Sequence, residues 1–173
     1  PHENPAEGDI IDSNSGMFAA MVKEAGGTPH RCGIVPDDYE QIKETVLREI
    51  KNSDMVIINA GSSAGTEDYT VHVLREIGDV IIHGVAMKPG KPVILAIVQG
   101  KPVIGLPGYP VSAYLAFENF VEPVLQKISG SNRGSRNTAR KTVKAVLSKR
   151  IVSSLKHREY VRVKVGKVGD KFV

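Results

Sequence analysis

Four short stretches of the chain combine backbones and side chains suited to holding a phosphorylated ligand. Gly61-Ser62-Ser63-Ala64-Gly65-Thr66 is a small, flexible loop before a helix start, where backbone N–H groups can receive an oxyanion. Read blandly, it is a tight strand-to-helix turn. It is neither a dinucleotide fingerprint nor a P-loop, because the glycine spacing and the Gly-Lys-Ser/Thr ending are both absent. Met87-Lys88-Pro89-Gly90-Lys91-Pro92 holds two ammonium groups on a proline-stiffened loop, which can neutralise phosphate charge at little ordering cost. In Gly105-Leu106-Pro107-Gly108-Tyr109-Pro110-Val111-Ser112 the hydroxyl of Ser112 can donate to an oxyanion. Asp37-Asp38 and Glu67-Asp68 put carboxylates at two helix starts, where each alone would serve as a cap or a dipole partner. A carboxylate beside a phosphate loop repels the ligand unless Mg²⁺ lies between them, so the set together points to a metal-bridged phosphate site. His2, His30, His72, His83 and His157 show no ligand spacing, and Cys32 has no evident histidine partner for nucleophilic catalysis.

These loops can cooperate only if the fold brings them to one edge. Ser13 or Asn14 can cap a helix that buries Met17, Met21, Val22 and Ala25 and ends at Gly26-Gly27. A short strand is expected over 29–35. A second helix follows, with Asp37 and Glu40 at capping-box spacing and Tyr39, Ile42, Val46 and Ile50 as its buried stripe. Residues 55–59 read as a strand covered on both faces. Thr66 can cap a third helix bearing Tyr69, Val73 and Ile77, stopped by Gly78. Strands are expected over 80–83, 93–98 and 103–106, the last two joined by a tight turn at Gln99-Gly100. Pro110 suits the first turn of the next helix, and Pro123 must kink or restart it. The expected fold is α/β, a three-layer open, mostly parallel sheet with helices on both faces, with ligands bound beyond the carboxyl ends of its strands. Residues 129–137 read as a linker, and 143–147 and 160–165 alternate like half-exposed strands. Some 36 residues there are too few for a second core, so they read as the opening of a β domain.

At 173 residues, with 41% hydrophobic and 24% charged residues, the chain is an ordinary globular sequence of one domain and a remainder. Its longest apolar run, 93–98, is far too short to span a bilayer, and no signal peptide opens it. One cysteine permits no internal disulfide, and a reducing cytoplasm is the natural compartment. Charge is split unevenly: residues 1–126 hold 9 Lys/Arg against 17 Asp/Glu, and 127–173 hold 14 against 2. The basic part has only Tyr160 and Phe172 as aromatics and no recognition motif, which argues against nucleic acid.

In this order, Asp37-Asp38, the loop from Gly61 to Asp68, the Lys88/Lys91 loop and the loop from Gly105 to Ser112 resemble the MoeA/gephyrin E-domain family, the molybdopterin molybdenumtransferases. The resemblance makes residues 1–130 a molybdopterin-binding domain and 137–173 a partial C-terminal β domain. It implies insertion of molybdate (or tungstate) into adenylated molybdopterin with Mg²⁺ assistance and release of AMP. It assigns Asp37 and Asp68 to catalysis and metal binding. Gly61, Ser62, Ser63, Gly65 and Thr66, with Lys88, Lys91, Pro107, Gly108 and Ser112, are assigned to the anionic pterin. It implies a homodimer whose site is completed by the partner's N-terminal domains, and an adenylyltransferase as a further partner. It also places an opening strand, an acidic loop and N-terminal domains before residue 1, so the chain reads as part of a larger protein. Ala60 to Gly65 replaces the family's usual Gly-Gly-Val-Ser-Val-Gly, and Tyr109 stands where an Asn is usual, variations of the kind expected of a subgroup. The related adenylyltransferases of the same fold carry Gly-Gly-Thr-Gly followed by Arg-Asp and lack the Lys-Pro-Gly-Lys-Pro loop. A non-catalytic anion-binding scaffold is the remaining alternative.

Overall fold

A computed structural model describes residues 11–59, 69–130, 142–153 and 156–173. Its elements run α1 (Asn14–Glu24), α2 (Tyr39–Asn52), β1 (Val56–Asn59), α3 (Tyr69–Ile77), β2 (Asp79–His83), β3 (Met87–Lys88), β4 (Ile94–Val98), β5 (Lys101–Leu106), α4 (Pro110–Ala116), a π turn (Phe117–Val121), α5 (Glu122–Ile128), β6 (Arg158–Glu159), β7 (Lys167–Val168) and β8 (Lys171–Phe172). The main sheet has the order β1-β5-β4-β2. β1 and β5 pair in parallel, while β4 runs antiparallel to both β5 and β2. Three strands thus share one direction and β4 opposes them. The expected α/β layering is present, and the sheet is mixed because the hairpin reverses β4. That hairpin closes on Gln99 and Gly100, with φ of 51° and 77°, the pair of positive angles that a two-residue loop needs to match strand twist.

Side chains alternate across the sheet and build an apolar layer on each face. On one face Ile104 and Leu106 of β5 pack with Phe18, Met21 and Val22 of α1 and with Ala113, Ala116, Phe117 and Val121. On the other, Ile94, Ala96, Val98 and Val103 pack with Val46 and Ile50 of α2 and Val71 and Leu74 of α3. β1 contributes Ile57 to the first layer and Val56 and Ile58 to the second, as a strand covered on both faces should. Lys101 at the start of β5 donates to the carbonyls of Ile50 and Ser53, both at 2.8 Å, satisfying groups that the end of α2 leaves without helical partners. The π turn lies just ahead of Pro123, which has no N–H to offer the carbonyl one turn back, so the helix breaks and restarts as expected.

Several expectations change. Asp38, not Asp37, caps α2: its side chain accepts from the Gln41 N–H at 2.9 Å. Neither Ser13 nor Asn14 caps α1 through its side chain; Asp12 Oδ1 accepts from the Ser15 N–H at 3.0 Å instead. Residues 29–35 are not a strand but chain without regular structure, because a strand exists only through a partner's ladder and β1 accepts none on its outer side among the described residues. Among the described residues, 143–147 and 160–165 form no strand of their own, although Val146 N–H reaches Phe172 O and Tyr160 N–H reaches Lys88 O. Val161, Val163 and Val165 each remain half exposed. Among the described residues, no helix is long and apolar enough to cross a membrane.

Gly78 joins α3 to β2 where a Cβ would lie 2.2 Å from the Ile97 carbonyl oxygen, a backbone atom that cannot turn aside. Gly78→Ala is expected to cost about 2–4 kcal/mol. Gly100→Ala, with open space but a positive φ, should cost only about 1–2 kcal/mol. Thermal denaturation of the two variants checks the order.

Candidate functional site

Among the described residues, elements that carry chemistry meet at the carboxyl edge of the sheet. The loop after β5 emerges there. The loop before β4 does too, since Ile94 opposes Gly105 in the antiparallel ladder. The N-terminus of α1 reaches the same edge: Asn14 Nδ2 donates to the Gly108 carbonyl at 2.7 Å and to Asn59 Oδ1 at 3.3 Å. Because α2 leads into the start of β1 and packs back along the sheet, its N-terminus with Asp37 and Asp38 also lies toward this edge.

The two expected loops meet. Met87, Lys88, Pro89, Gly90, Lys91 and Pro92 on one side and Pro107, Gly108, Tyr109 and Ser112 on the other line a cleft of about 230 Å³. The first loop is closed at its base by Gly84 N–H to Val93 O at 2.8 Å and Val85 N–H to Lys91 O at 2.9 Å. Gly90 is required at its tip, where φ is +112° and a Cβ would stand 2.4 Å from the Met87 methyl. The loop is therefore rigid before any ligand arrives, and its two ammonium groups need little further ordering. Tyr109, 73% exposed, stands at the mouth of the cleft.

Asp37 is exposed and has no hydrogen-bond or ion-pair partner among the described residues, whereas its neighbour Asp38 is committed to the helix cap. Gly61, Ser62, Ser63, Gly65, Thr66 and Asp68 lie outside the described residues.

Sequence reasoning missed the support behind the lysine loop. β6 adds to β3 in parallel, through Arg158 N–H to Ala86 O and Tyr160 N–H to Lys88 O, each 2.8 Å. The Tyr160 hydroxyl donates to Asn119 Oδ1 at 2.7 Å, and Asn119 Nδ2 donates to Leu115 O at 2.6 Å. The basic C-terminal segment is thus latched onto the π turn, and it places the mostly buried Glu159 carboxylate 3.8 Å from the Lys88 ammonium. The alternating pattern around residue 160 was the only available signal, and it pointed to a separate sheet. Asn14 was visible only as a cap candidate, yet it is buried and ties α1 to both β1 and the Gly108 loop. Away from the cleft, the fold also brings His30, Cys32 and Glu49 together, correcting the expectation that Cys32 lacks a histidine nearby.

A family profile described as "Probable molybdopterin binding domain" matches residues 4–127. The chain belongs to this family. It is 40% identical to a molybdopterin molybdenumtransferase of Nostoc sp., across 73% of the chain and 30% of that protein. It is 34% identical to gephyrin of Dictyostelium discoideum, across 75% of the chain and 22% of that protein. The crystal structure of a molybdopterin biosynthesis MoeA protein from Pyrococcus horikoshii superposes with a TM-score of 0.69 at 36% identity, over 75% of the chain and 32% of that structure. The chain therefore spans about a third or less of the length of these relatives.

Two measurements test the site's construction. Burial alone would raise the Asp12 carboxyl, but the Ser15 hydroxyl and N–H and the Arg31 charge together hold it below the usual carboxylate range. A lowered native value contributes stability above the unfolded value of about 3.9, lost as pH falls through the native one. Asp12→Ala should therefore cost about 1 kcal/mol at neutral pH, and the difference from wild type should shrink as pH falls below the unfolded value of about 3.9. Glu159→Gln removes the counter-charge of Lys88, and pyrophosphate binding should tighten about two- to fivefold at low salt. The gain should disappear near 1 M salt, as calorimetry can show.

Proposed function

We propose that this chain is the substrate-binding part of a molybdopterin molybdenumtransferase, which inserts molybdate into adenylated molybdopterin and releases AMP. The observation that carries this reading is the meeting of the Lys88/Lys91 loop with the Pro107 to Ser112 loop in one rigid cleft, in a chain of the molybdopterin-binding family. Lys88 and Lys91 meet the negative charge of the phosphorylated pterin, and Ser112 donates a hydrogen bond to a phosphate oxygen. Gly61, Ser62, Ser63, Gly65 and Thr66 complete the phosphate contacts in the loop that follows β1. Cleaving the phosphoanhydride frees AMP, and preorganised positive charge stabilises the oxygen charge that develops as that bond breaks.

Mg²⁺ fits the donor set proposed for it. It takes hard oxygen ligands, and Asp37 offers an exposed carboxylate that no described side chain occupies. With Asp68 it would hold the ion, which when bound withdraws charge from the phosphate oxygens. The remaining parts of the reading are a cytoplasmic homodimer, a β domain over 137–173 after the binding domain of 1–130, and an adenylyltransferase that supplies the substrate.

The intact protein, given adenylated molybdopterin, Mg²⁺ and molybdate, should release AMP in a molybdate-dependent way. ATP-dependent adenylation of free molybdopterin would instead identify an adenylyltransferase, and no AMP would favour the non-catalytic scaffold. Asp37→Asn and Asp68→Asn should each slow turnover about a hundredfold or more while changing stability by less than about 0.5 kcal/mol. Asp38→Ala should do the reverse, losing about 1 kcal/mol with its cap and keeping most of the turnover. Parallel losses of activity and stability at Asp37 and Asp68 would reduce both to structural acids.

A further inference from the structure

We propose that His30, Cys32 and Glu49 form a binding site for a borderline-soft divalent cation of the zinc type, separate from the cleft. His30 and Cys32 lie in the segment ahead of α2, which has no regular structure and turns at Gly33 with φ of 84°. Glu49 comes from α2, about 16 Å along the helix from its Asp38 cap. One ligand atom from each of the three lies within 4.8 Å of the others. His30 Nε2 and Glu49 Oε2 are 3.7 Å apart, slightly wider than the roughly 3.3–3.5 Å between a nitrogen and an oxygen ligand of a tetrahedral zinc ion with bonds of about 2.0–2.2 Å. The wider separation within the group would close by a shift of about 1 Å in this segment, whose Arg31 donates to Ser15 Oγ at 2.7 Å.

The donor set selects the ion. Imidazole, thiolate and carboxylate supply nitrogen, sulfur and oxygen with two negative charges, a combination that favours Zn²⁺ or Co²⁺ and rejects Mg²⁺. Glu49 is 9% exposed, and Arg48 Nε donates to its Oε1 at 2.8 Å, leaving Oε2 toward His30. Arg48 therefore orients the ligand while its charge opposes the cation. His30 and Cys32 are exposed, so an ion can enter and a water can fill the fourth position. The bound ion adds to the His30–Glu49 contact that already joins this segment to α2.

Titrating the reduced, intact chain with Co²⁺ should give one ion per chain, with a thiolate-to-cobalt charge-transfer band and the intense visible bands of a tetrahedral site. Zn²⁺ should erase these bands and Mg²⁺ should not. Cys32→Ser should abolish the charge-transfer band with an unchanged circular dichroism spectrum. His30→Ala and Glu49→Gln should each weaken binding about tenfold or more, and Arg48→Gln should strengthen it severalfold. Absence of the band in the wild-type chain would overturn the proposal. So would a band whose affinity is indifferent to Glu49→Gln, which would mean an exposed thiol binding cobalt alone. Arg48→Gln keeps the test decisive if loss of Glu49 unsettles α2.

Discussion

Strand β5 is buried on both faces, and the positions of the other parts follow from its two ladders. Val103 points into the layer shared with α2 and α3, while Ile104 and Leu106 point into the layer shared with α1 and α4. Its parallel partner β1 and antiparallel partner β4 set which loops leave by the same edge. Gly105 sits opposite Ile94, whose Cβ would be 3.1 Å from any Cβ added there. This close contact holds the start of β4, and so the lysine loop, in register with the loop that follows β5. A one-residue slip would exchange the two apolar layers and separate the walls of the cleft.

The cleft then depends on rigidity more than on the number of charges. Both of its walls are short loops anchored at their bases, one by backbone hydrogen bonds and the other by Asn14. The unit that contains it is acidic, with 17 Asp/Glu against 9 Lys/Arg over residues 1–126, so Lys88 and Lys91 form a local positive feature on a negative background. Such a field favours an anion at the cleft and disfavours one elsewhere on the surface. Glu159 tempers it. The strongly basic C-terminal segment brings one of its two acids to the lysine loop, so its excess of positive charge is not what approaches the cleft. Its contribution is a strand, a tyrosine latch and a carboxylate, which fits the absence of any nucleic-acid motif.

Much of the fold was legible because it rests on local periodicity. The stripe of Ile42, Val46 and Ile50, the Gln99-Gly100 turn and the restart at Pro123 each follow from properties of a few neighbouring residues. The lysine and proline-glycine loops were legible for the same reason, since their stiffness and charge are local. What escaped was whatever needed a distant partner. Among the described residues, 29–35 have strand composition but no ladder, and the alternation over 160–165 gives only the bond from Tyr160 N–H to Lys88 O, its valines staying half exposed. The choice between Asp37 and Asp38 as the cap was a matter of one backbone turn, which spacing alone does not resolve.

By itself the sequence determined the kinds of chemistry available: anion-receiving loops, two ammonium groups on one rigid turn, and carboxylates at helix starts. It also determined the alternation of helix and strand that puts such loops at strand ends. Only the tertiary structure decided which of these groups share a site. The ladder between β4 and β5 made one cleft of two loops some fifteen residues apart. Packing of α1 buried Asn14 between β1 and Gly108. Docking of Arg158–Glu159 against Met87–Lys88 gave Lys88 its counter-charge. The approach of α2 to the segment ahead of it joined Cys32 and His30 to Glu49. The physical reason is the same in each case: a hydrogen bond, an ion pair or a ligand set needs atoms within a few ångströms, and closing the long loops between them depends on burying both faces of the sheet.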